Sequence, residues 1–590
     1  MTDKNSSDAK VAEPVGVWVG QVHHDDQSNS YIISFARDGT ISLRTDVTVG
    51  TGTWTADTPG RYTYELTETF TPASGHRGEI RALVKVAQDG DDHRGFGTAA
   101  IYTPDGALVH STTAESKGHR VSHEAAVWHD IVGLGASICG DTLYPGDDGF
   151  EDAHSGWLLT VEHRPAAIVV AADAEDVATA VRFAADRKLP VAVESTGHGR
   201  SVTADGALLI STVRMRELSV DPEVRTARIG AGLRWADVLS ATAQHGVAPL
   251  CGSSEQVGVM GYLTTGGLPM VCRTYGFAAD HVRSIDLVTA DGRTRTVTQD
   301  SDPDLFWAVR GGASNFGVVT AAELDLVPLQ SVYGGKLCFP AEDPVHATYV
   351  LRSYLAWARE QPDEMSSSAT LLRLPDTPKV PEELRGRSLI QVHLVHTGGR
   401  LDGERSIEVL RSLLPEEDTC GLIPYAQIAD IHEDPKHPVR VHFRGALLSE
   451  LDDAAVDALV SLIDPAQDVF PGVELRHMGG ALHRAPGRAH AVGDRDAEFL
   501  LYLRVPVPAG DEDVVSLAAD KMLERVKPWD TGSTLPGFLF DHDSDPKSVR
   551  RAYSAPDYRR LTRIKAKYDP QNLFRINHNI PPVEDGAGRR

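Results

Sequence analysis

Between residues 16 and 118 apolar and polar positions alternate over short runs: VWVGQV, YIISFA, TISLRT, GTGTWTA, RYTYELTE, IRALVKVA and GFGTAAIYT. A period of two is the signature of a strand with one buried face. The pairs Asp38-Gly39, Pro59-Gly60, Asp89-Gly90 and Asp105-Gly106 supply turns between the runs, so an antiparallel meander is predicted. About eight such strands can close into a small barrel and remove their own edges. Its interior either is filled by side chains or holds a ligand. The segment around Lys117 to Trp128 reads as a polar connection, and residues 1–15 as a disordered start.

Near residue 140 the period changes. AAIVVAA is a continuous apolar run, as a doubly covered strand requires. EDVATAVRFAADRK places Val177, Val181 and Ala184 on one helical face, and PVAVES is the next strand. A crossover helix of this length joins parallel strands. ARIGAG, SIDLVTA and GVVTAAELDL follow as further strands, which makes 119–330 an α/β unit. Region 331–525 mixes the strands SATLLRL, SLIQVHLVH, VRVHFRGALL, VELRHMGG and EFLLYLRVPV with the helices ERSIEVLRSLL and DAAVDALVSLI, and 526–590 returns to the α/β unit. The class is therefore multidomain α+β. Alternation sorts the polar groups of this third region: Arg440, His442 and Arg444 against Val439, Val441 and Phe443; Glu474 and Arg476 against Val473 and Leu475; Tyr502 and Arg504 against Leu501 and Leu503.

Composition narrows the partners. A chain of 590 residues exceeds one core. A net charge of −25 argues against nucleic acid and against an anionic membrane surface. Five widely spaced cysteines form neither a disulfide framework nor a zinc pattern, which fits a reduced compartment. The start lacks the apolar core of a signal peptide and no run is long enough to span a bilayer, so a soluble, cytoplasmic protein is expected. His23, His24, Asp25 and Asp26 have metal-ligand composition, but adjacent polar residues at a turn read as a solvated tip, and no metal is expected. Oligomeric state is left open.

The chemistry concentrates in VAVESTGHGRSVTADGALLI, residues 191 to 210. Gly197 and Gly199 flank His198 directly after an apolar strand. Glycine permits positive φ and close approach of backbone N–H groups to a pyrophosphate, and the carboxyl end of a strand is where α/β sheets bind ligands. Three ordered segments extend the pattern: VGVMGYLTTGGLPMVCRTYGFAAD at 257–280, LFWAVRGGASNFGVVT at 305–320 and YDPQNLFRINHNIPP at 568–582. From Thr142 to Pro582 the chain resembles the vanillyl-alcohol-oxidase superfamily, with its PCMH-type FAD-binding domain, and more narrowly the berberine-bridge-enzyme-like oxidases. The start at Gly16 to Trp18 loosely resembles lipocalin-type barrels.

The resemblance implies FAD as cofactor, joined through its 8α-methyl to His198, with Ser195, Thr196, Gly197, Gly199, Arg200 and Ser201 around the pyrophosphate. It implies that Ser254, Val257, Gly258, Gly261, Gly266, Gly267, Tyr275, Gly276, Asp280 and Val282 line the flavin. Asn315, Gly317, Val318 and Val319, and near the end Asn577 and Asn579, complete that lining. It further implies that the sheet of the third region roofs the flavin and supplies the substrate pocket. On this roof Tyr502 and Glu474 are the candidate base or anchor, and Arg440, His442, Arg444 and Arg476 the candidate substrate contacts.

Three departures stand out. Relatives carry a second flavin link through a cysteine where this chain has Ser254, and Cys251 could replace it only if the loop were shifted, so one link is expected. The glycine triplet reads Thr265-Gly266-Gly267, with Pro269 following. The active-site tyrosine that relatives place near the end is missing from TLPGFLF, where Gly537 and Leu539 stand. The expected function is hydride transfer from a hydroxyl- or amine-bearing carbon of a secondary metabolite or sugar derivative onto flavin N5, with dioxygen as acceptor. The alternatives are a flavin-dependent cyclase and a degenerate flavin-fold scaffold.

Overall fold

The computed structural model describes residues 14–24, 27–37, 39–45, 49–70, 78–103, 106–122, 134–145, 147–378, 380–464, 469, 471–493, 495–508 and 510–583. Asp25, Asp26 and most of the expected disordered start lie outside these.

The amino-terminal strands form a closed antiparallel barrel of eight, in which Gly16–His24 pairs with both Gln27–Phe35 and Leu108–Ser122. Its inward positions are Trp18, Ile33, Phe35, Tyr62, Tyr64, Leu66, Val84 and Val86, which pack into one cluster. At the centre His93 stacks on Trp18 at 4.7 Å and meets the Tyr31 and Tyr62 hydroxyls at 2.5 and 3.1 Å. Large rings on one wall need small residues on the other. Gly20 faces Gly118, and a Cβ at Gly20 would lie 2.0 Å from the Lys117 carbonyl oxygen. The last strand runs to Ser122 and so takes in the first residues, Lys117–Ser122, of the stretch expected to be a polar connection. Polarity misleads there because the inward positions are Ser116, Gly118 and Arg120, whose guanidinium lies 4.5 Å over the Trp18 ring. On the outside Val19 packs against the core of the α/β unit.

That unit contains parallel strands Val191–Glu194, Leu208–Ser211 and Ala167–Val170, with Asp141–Leu143 antiparallel at the edge. The crossover helix Ala174–Arg187 starts where the Asp173 side chain accepts from the Glu175 and Asp176 N–H groups, and it buries Val177, Val181 and Ala184. A second, antiparallel sheet is ordered Leu218–Asp221, Thr226–Gly230, Val318–Asp325, Val282–Val288, Thr294–Thr298.

The third region is one large antiparallel sheet. Helices Pro344–Arg359, Asp453–Val460 and Glu512–Val526 cover one of its faces, burying Val473, Leu475, Leu501 and Leu503 among other aliphatic residues. Tyr502 stands opposite Glu474 and Gly445, Arg504 opposite Gly472, and Arg476 opposite Ser368, so these polar groups share the uncovered face. Arg444 pairs with Leu503 and His442 with Val505, which puts both on the helix-covered face. They therefore do not belong to the roof. Arg444 is fully buried against Asp520 and Ser516, and Arg440, outside the strand, is engaged by Glu512 and the Leu159 carbonyl. Alternation identified which residues share a face, but a charged row on an edge strand can as easily face a polar helix as a cleft.

Candidate active site

The floor starts at the end of strand Val191–Glu194. Gly197 has φ +70°, and a Cβ there would lie 2.6 Å from Gly156 Cα, so the turn requires glycine. Arg200 grips both oxygens of Glu194 at 2.6 Å and donates to the His154 carbonyl. Burial favours a neutral Glu194, but hydrogen bonds from His163 and Arg200 outweigh it and hold the carboxyl below its usual range. The guanidinium of Arg200 thus braces the loop from behind rather than presenting a charge to its mouth.

His198 stacks on Trp157, with centroids 4.3 Å apart and planes at 14°, and its Nδ1 lies 2.9 Å from Thr196 Oγ1. Burial, with the Arg234 charge adding to it, pushes the imidazole pKa down to about 3. The ring is neutral and keeps a nucleophilic lone pair. Thr196 Oγ1 also accepts from Gly258 N–H at 3.3 Å, tying this loop to the Val-Gly-Val segment.

Ser254 is half-buried and accepts from Gln256 N–H at 3.4 Å. Cys251 is completely buried 3.9 Å from the Tyr425 hydroxyl, and burial raises its thiol to about 12, so it behaves as a small apolar residue and not as a thiolate. Gly266 and Gly267 have φ of +100° and +67°. Tyr275 is half-buried beside His281, and Gly276 has φ +84°. Asp280 accepts from Phe277 N–H and is held by His490 and Arg495, while Val282, Val318 and Val319 are core. Asn315 donates to the Gly312 and His578 carbonyls at 3.0 Å and accepts from Ile580 N–H at 2.8 Å. Asp280 and Asn315 therefore work as clamps around the loops, their polar atoms already satisfied by protein.

Whether the residues suit FAD is decided by polar atoms that protein leaves unsatisfied. Ser195 Oγ, His198 Nε2, Tyr262 Oη, Asn577 Oδ1 and Asn579 Oδ1 are buried with no partner. Native proteins rarely bury such groups unpaired. At Gly199 and Gly261 an added Cβ meets nothing within 4 Å, which is room for a ligand beside the backbone. Both observations sit in the loops that the sequence assigns to the flavin, and they fit it.

The roof lies over these loops. Asp434 accepts from Ser253 of the floor at 2.6 Å and from Arg504 of the roof at 3.2 Å. Glu474 is completely buried; one oxygen lies 3.3 Å from His432 Nε2 and the other accepts from Arg476 at 3.1 Å. Burial favours the neutral acid, but Arg476, His432 and Arg504 together hold the carboxyl well below its usual range, so it is ionised. Burial raises the Tyr502 phenol, which stays protonated, and the ring stacks on Phe443 at 5.3 Å and Phe540 at 5.8 Å. Phe538 and Phe540 thus build an aromatic wall around Tyr502, in the segment where the relatives' tyrosine is missing.

Reading the sequence missed His432, His393, Ser368 and Asp434. His393 carried a usable signal, the alternation of VHLVH. His432 and Asp434 follow a short irregular helix, Tyr425–Ile431, where no period applies. Ligand atoms of His393, His432 and Glu474 come within 4.8 Å of one another. The two imidazoles, however, are stacked 4.1 Å apart at 16°. Nitrogen lone pairs lie in the ring plane, so one ion could take both only if a ring turned.

Residues 165–298 match the FAD binding domain family, and 540–581 the berberine and berberine-like family. The (R)-6-hydroxynicotine oxidase of Paenarthrobacter nicotinovorans is 30% identical over 466 residues, covering 76% of this chain and 97% of that protein. The solved 6-hydroxy-D-nicotine oxidase of Arthrobacter nicotinovorans superposes with a TM-score of 0.68 at 26% identity, over 76% of this chain and 98% of the other. The xylooligosaccharide oxidase of Myceliophthora thermophila shares the fold, with a TM-score of 0.68 at 20% identity over 77% and 99%. With the flavin loops, the carboxy-terminal segment and the roofing sheet all in place, the chain belongs to the berberine-bridge-enzyme-like FAD-linked oxidoreductases of the vanillyl-alcohol-oxidase superfamily.

Proposed function

We propose that this oxidoreductase oxidises a small hydroxyl- or amine-bearing metabolite or sugar derivative, with dioxygen as final acceptor. The observation that carries the reading is the pairing of unlike groups on the roof: an ionised Glu474 with its partner His432 beside a protonated Tyr502. An alcohol or amine must lose a proton as its carbon loses a hydride, so it needs an acceptor and an orienting donor together. Bound FAD, held by the 195–201, 257–280 and 315–319 loops and by Asn577 and Asn579, supplies the hydride acceptor.

The protein's own contribution is placement and proton handling. Phe443, Phe538 and Phe540 fix the Tyr502 ring, and the Tyr502 hydroxyl anchors the substrate's polar group. Arg476, His432 and Arg504 keep Glu474 ionised within the roof, and Arg504 also donates to Asp434. The neutral, ring-stacked imidazole of His198, and Ser254 at the place where many members of the family carry cysteine, support a single link from flavin to His198. The names of similar proteins, a hydroxynicotine oxidase and a xylooligosaccharide oxidase, support the amine and sugar classes.

The test is anaerobic mixing of the yellow protein with (R)-6-hydroxynicotine, xylobiose and a panel of related amines and alcohols. Loss of the oxidised flavin band, restored by air with one equivalent of peroxide, is expected for at least one class. A flavin that dithionite reduces but no amine or alcohol does would contradict the proposal.

A further inference from the structure

His432 and His393 form a stacked imidazole pair in the roof that the reading above uses only as support for Glu474. We propose that His432 is the group that takes the substrate's proton, on Nδ1, with Glu474 acting as the carboxylate that orients it. The assignment rests on the oxidoreductase reading and names the atom within it.

Geometry sorts the two candidates. Both oxygens of Glu474 are already taken, one by His432 Nε2 at 3.3 Å and one by Arg476 at 3.1 Å. An ionised carboxylate only accepts, so the proton of the imidazole sits on Nε2 and Nδ1 is left with its lone pair. That Nδ1 is buried and has no partner. A buried acceptor left unpaired asks for an explanation, and a substrate O–H or N–H provides one. The arrangement of carboxylate, imidazole and reacting group in line is one that recurs wherever a histidine must act as base.

The surroundings hold this tautomer. His393, from strand Ser388–His396, stacks on the imidazole and is itself kept uncharged by burial and by the neighbouring His432. Ser368 Oγ, from Met365–Arg373, lies 3.4 Å from both rings. Among charged neighbours, Arg476 pairs with Glu474, Arg504 with Asp434, and Lys336 with Glu433 at 2.7 Å, so each of these cations has a carboxylate partner. The step balances: the C–H electron pair leaves as hydride to the flavin, the O–H or N–H proton goes to Nδ1, and a C=O or C=N bond remains. The imidazolium then passes its proton to water, and dioxygen takes the two electrons to give peroxide.

Two measurements test this. In holoenzyme labelled with 15N-histidine, the signals lost in His432→Gln should report a protonated Nε2 and a bare Nδ1, and Glu474→Gln should scramble that tautomer. In anaerobic flavin reduction by whichever amine or alcohol reduces the wild type, His432→Gln should slow the rate constant by about a hundredfold or more and abolish the acid limb of its pH profile. Flavin content should stay normal, and Glu474→Gln should lose less. A protonated Nδ1 overturns the assignment. So does a His432→Gln enzyme that keeps its rate while Glu474→Gln is inactive, since Glu474 would then be the base; His432→Asn serves if the glutamine variant fails to fold. If no probe reduces the wild-type flavin, the activity reading fails and the tautomer alone decides: bare Nδ1 supports the assignment, protonated Nδ1 rejects it.

Discussion

Lys565→Met should loosen the carboxy-terminal segment and the flavin with it. Lys565 Nζ donates to the Asn315 carbonyl and Asp569 Oδ2, both at 2.7 Å, and to the Phe574 carbonyl at 2.9 Å. Lysine and aspartate are both fully buried. Burial draws the ammonium pKa down to about 8, so near neutral pH it remains charged. Methionine has similar bulk, which leaves the packing nearly intact while removing the charge and the three hydrogen bonds that it donates. Asp569 would keep its hydrogen bonds from the Leu573 and Phe574 N–H groups but lose its counter-ion. Breaking a buried pair in this way costs about 3–5 kcal/mol. Because Asn577 and Asn579 follow within the same segment, the loss should appear first as flavin release, at lower urea than the unfolding of the barrel. In protein carrying the non-covalent cofactor of His198→Ala, flavin fluorescence against urea reads it directly. Adding Asp569→Asn should recover part of the loss, since the uncompensated charge is then gone. A Lys565→Met change below about 1 kcal/mol would refute the reasoning, because that is the scale of an exposed pair.

Arg444→Met should lower stability by about 2–4 kcal/mol for its buried hydrogen bonds yet leave flavin reduction unchanged, whereas Tyr502→Phe and Arg476→Met should slow reduction; parallel melting and stopped-flow curves separate the two faces of the sheet. A chain beginning after Ser122 should remain yellow, because the cofactor loops all lie beyond it; a colourless product would make the barrel part of the flavin site. A cut near Gly118 should do worse, since it leaves a barrel strand behind. Glu194 has a folded pKa below its unfolded value of about 4.3, so its stabilisation is present above that pH and lost as pH falls through the folded value. Melting temperature should therefore drop on acidification more steeply in the wild type than in Glu194→Gln.

The barrel was legible because turn pairs punctuate it and inward positions are apolar, yet its last strand was not, since there glycine, serine and an arginine face inward. The flavin loops were legible because glycines at 197, 266 and 276 answer a backbone demand that no other residue meets. Within those loops the sequence could not separate contact from support: Arg200, Asp280 and Asn315 read as cofactor ligands, and their partners turn out to be protein groups. On the roof, alternation separated Glu474 from Val473 and Leu475 and Tyr502 from Leu501 and Leu503, but the cross-strand pairing of Glu474 with Tyr502 and the choice of face depend on what packs against each strand. Helix Glu512–Val526, which claims Arg444 and His442, is distant in sequence from both. His432 was invisible for the plainest reason. Its position depends on a tertiary contact with Glu474, forty-two residues away, and no local pattern encodes that.

The proposed attachment of the flavin at His198 is tested most directly by acid precipitation followed by peptide mapping. The precipitate should be yellow, and after proteolysis all flavin absorbance should reside on the peptide that contains His198 and none on the peptide that contains Cys251. Release of all the FAD into the supernatant, or a flavin carried on Cys251, would contradict it.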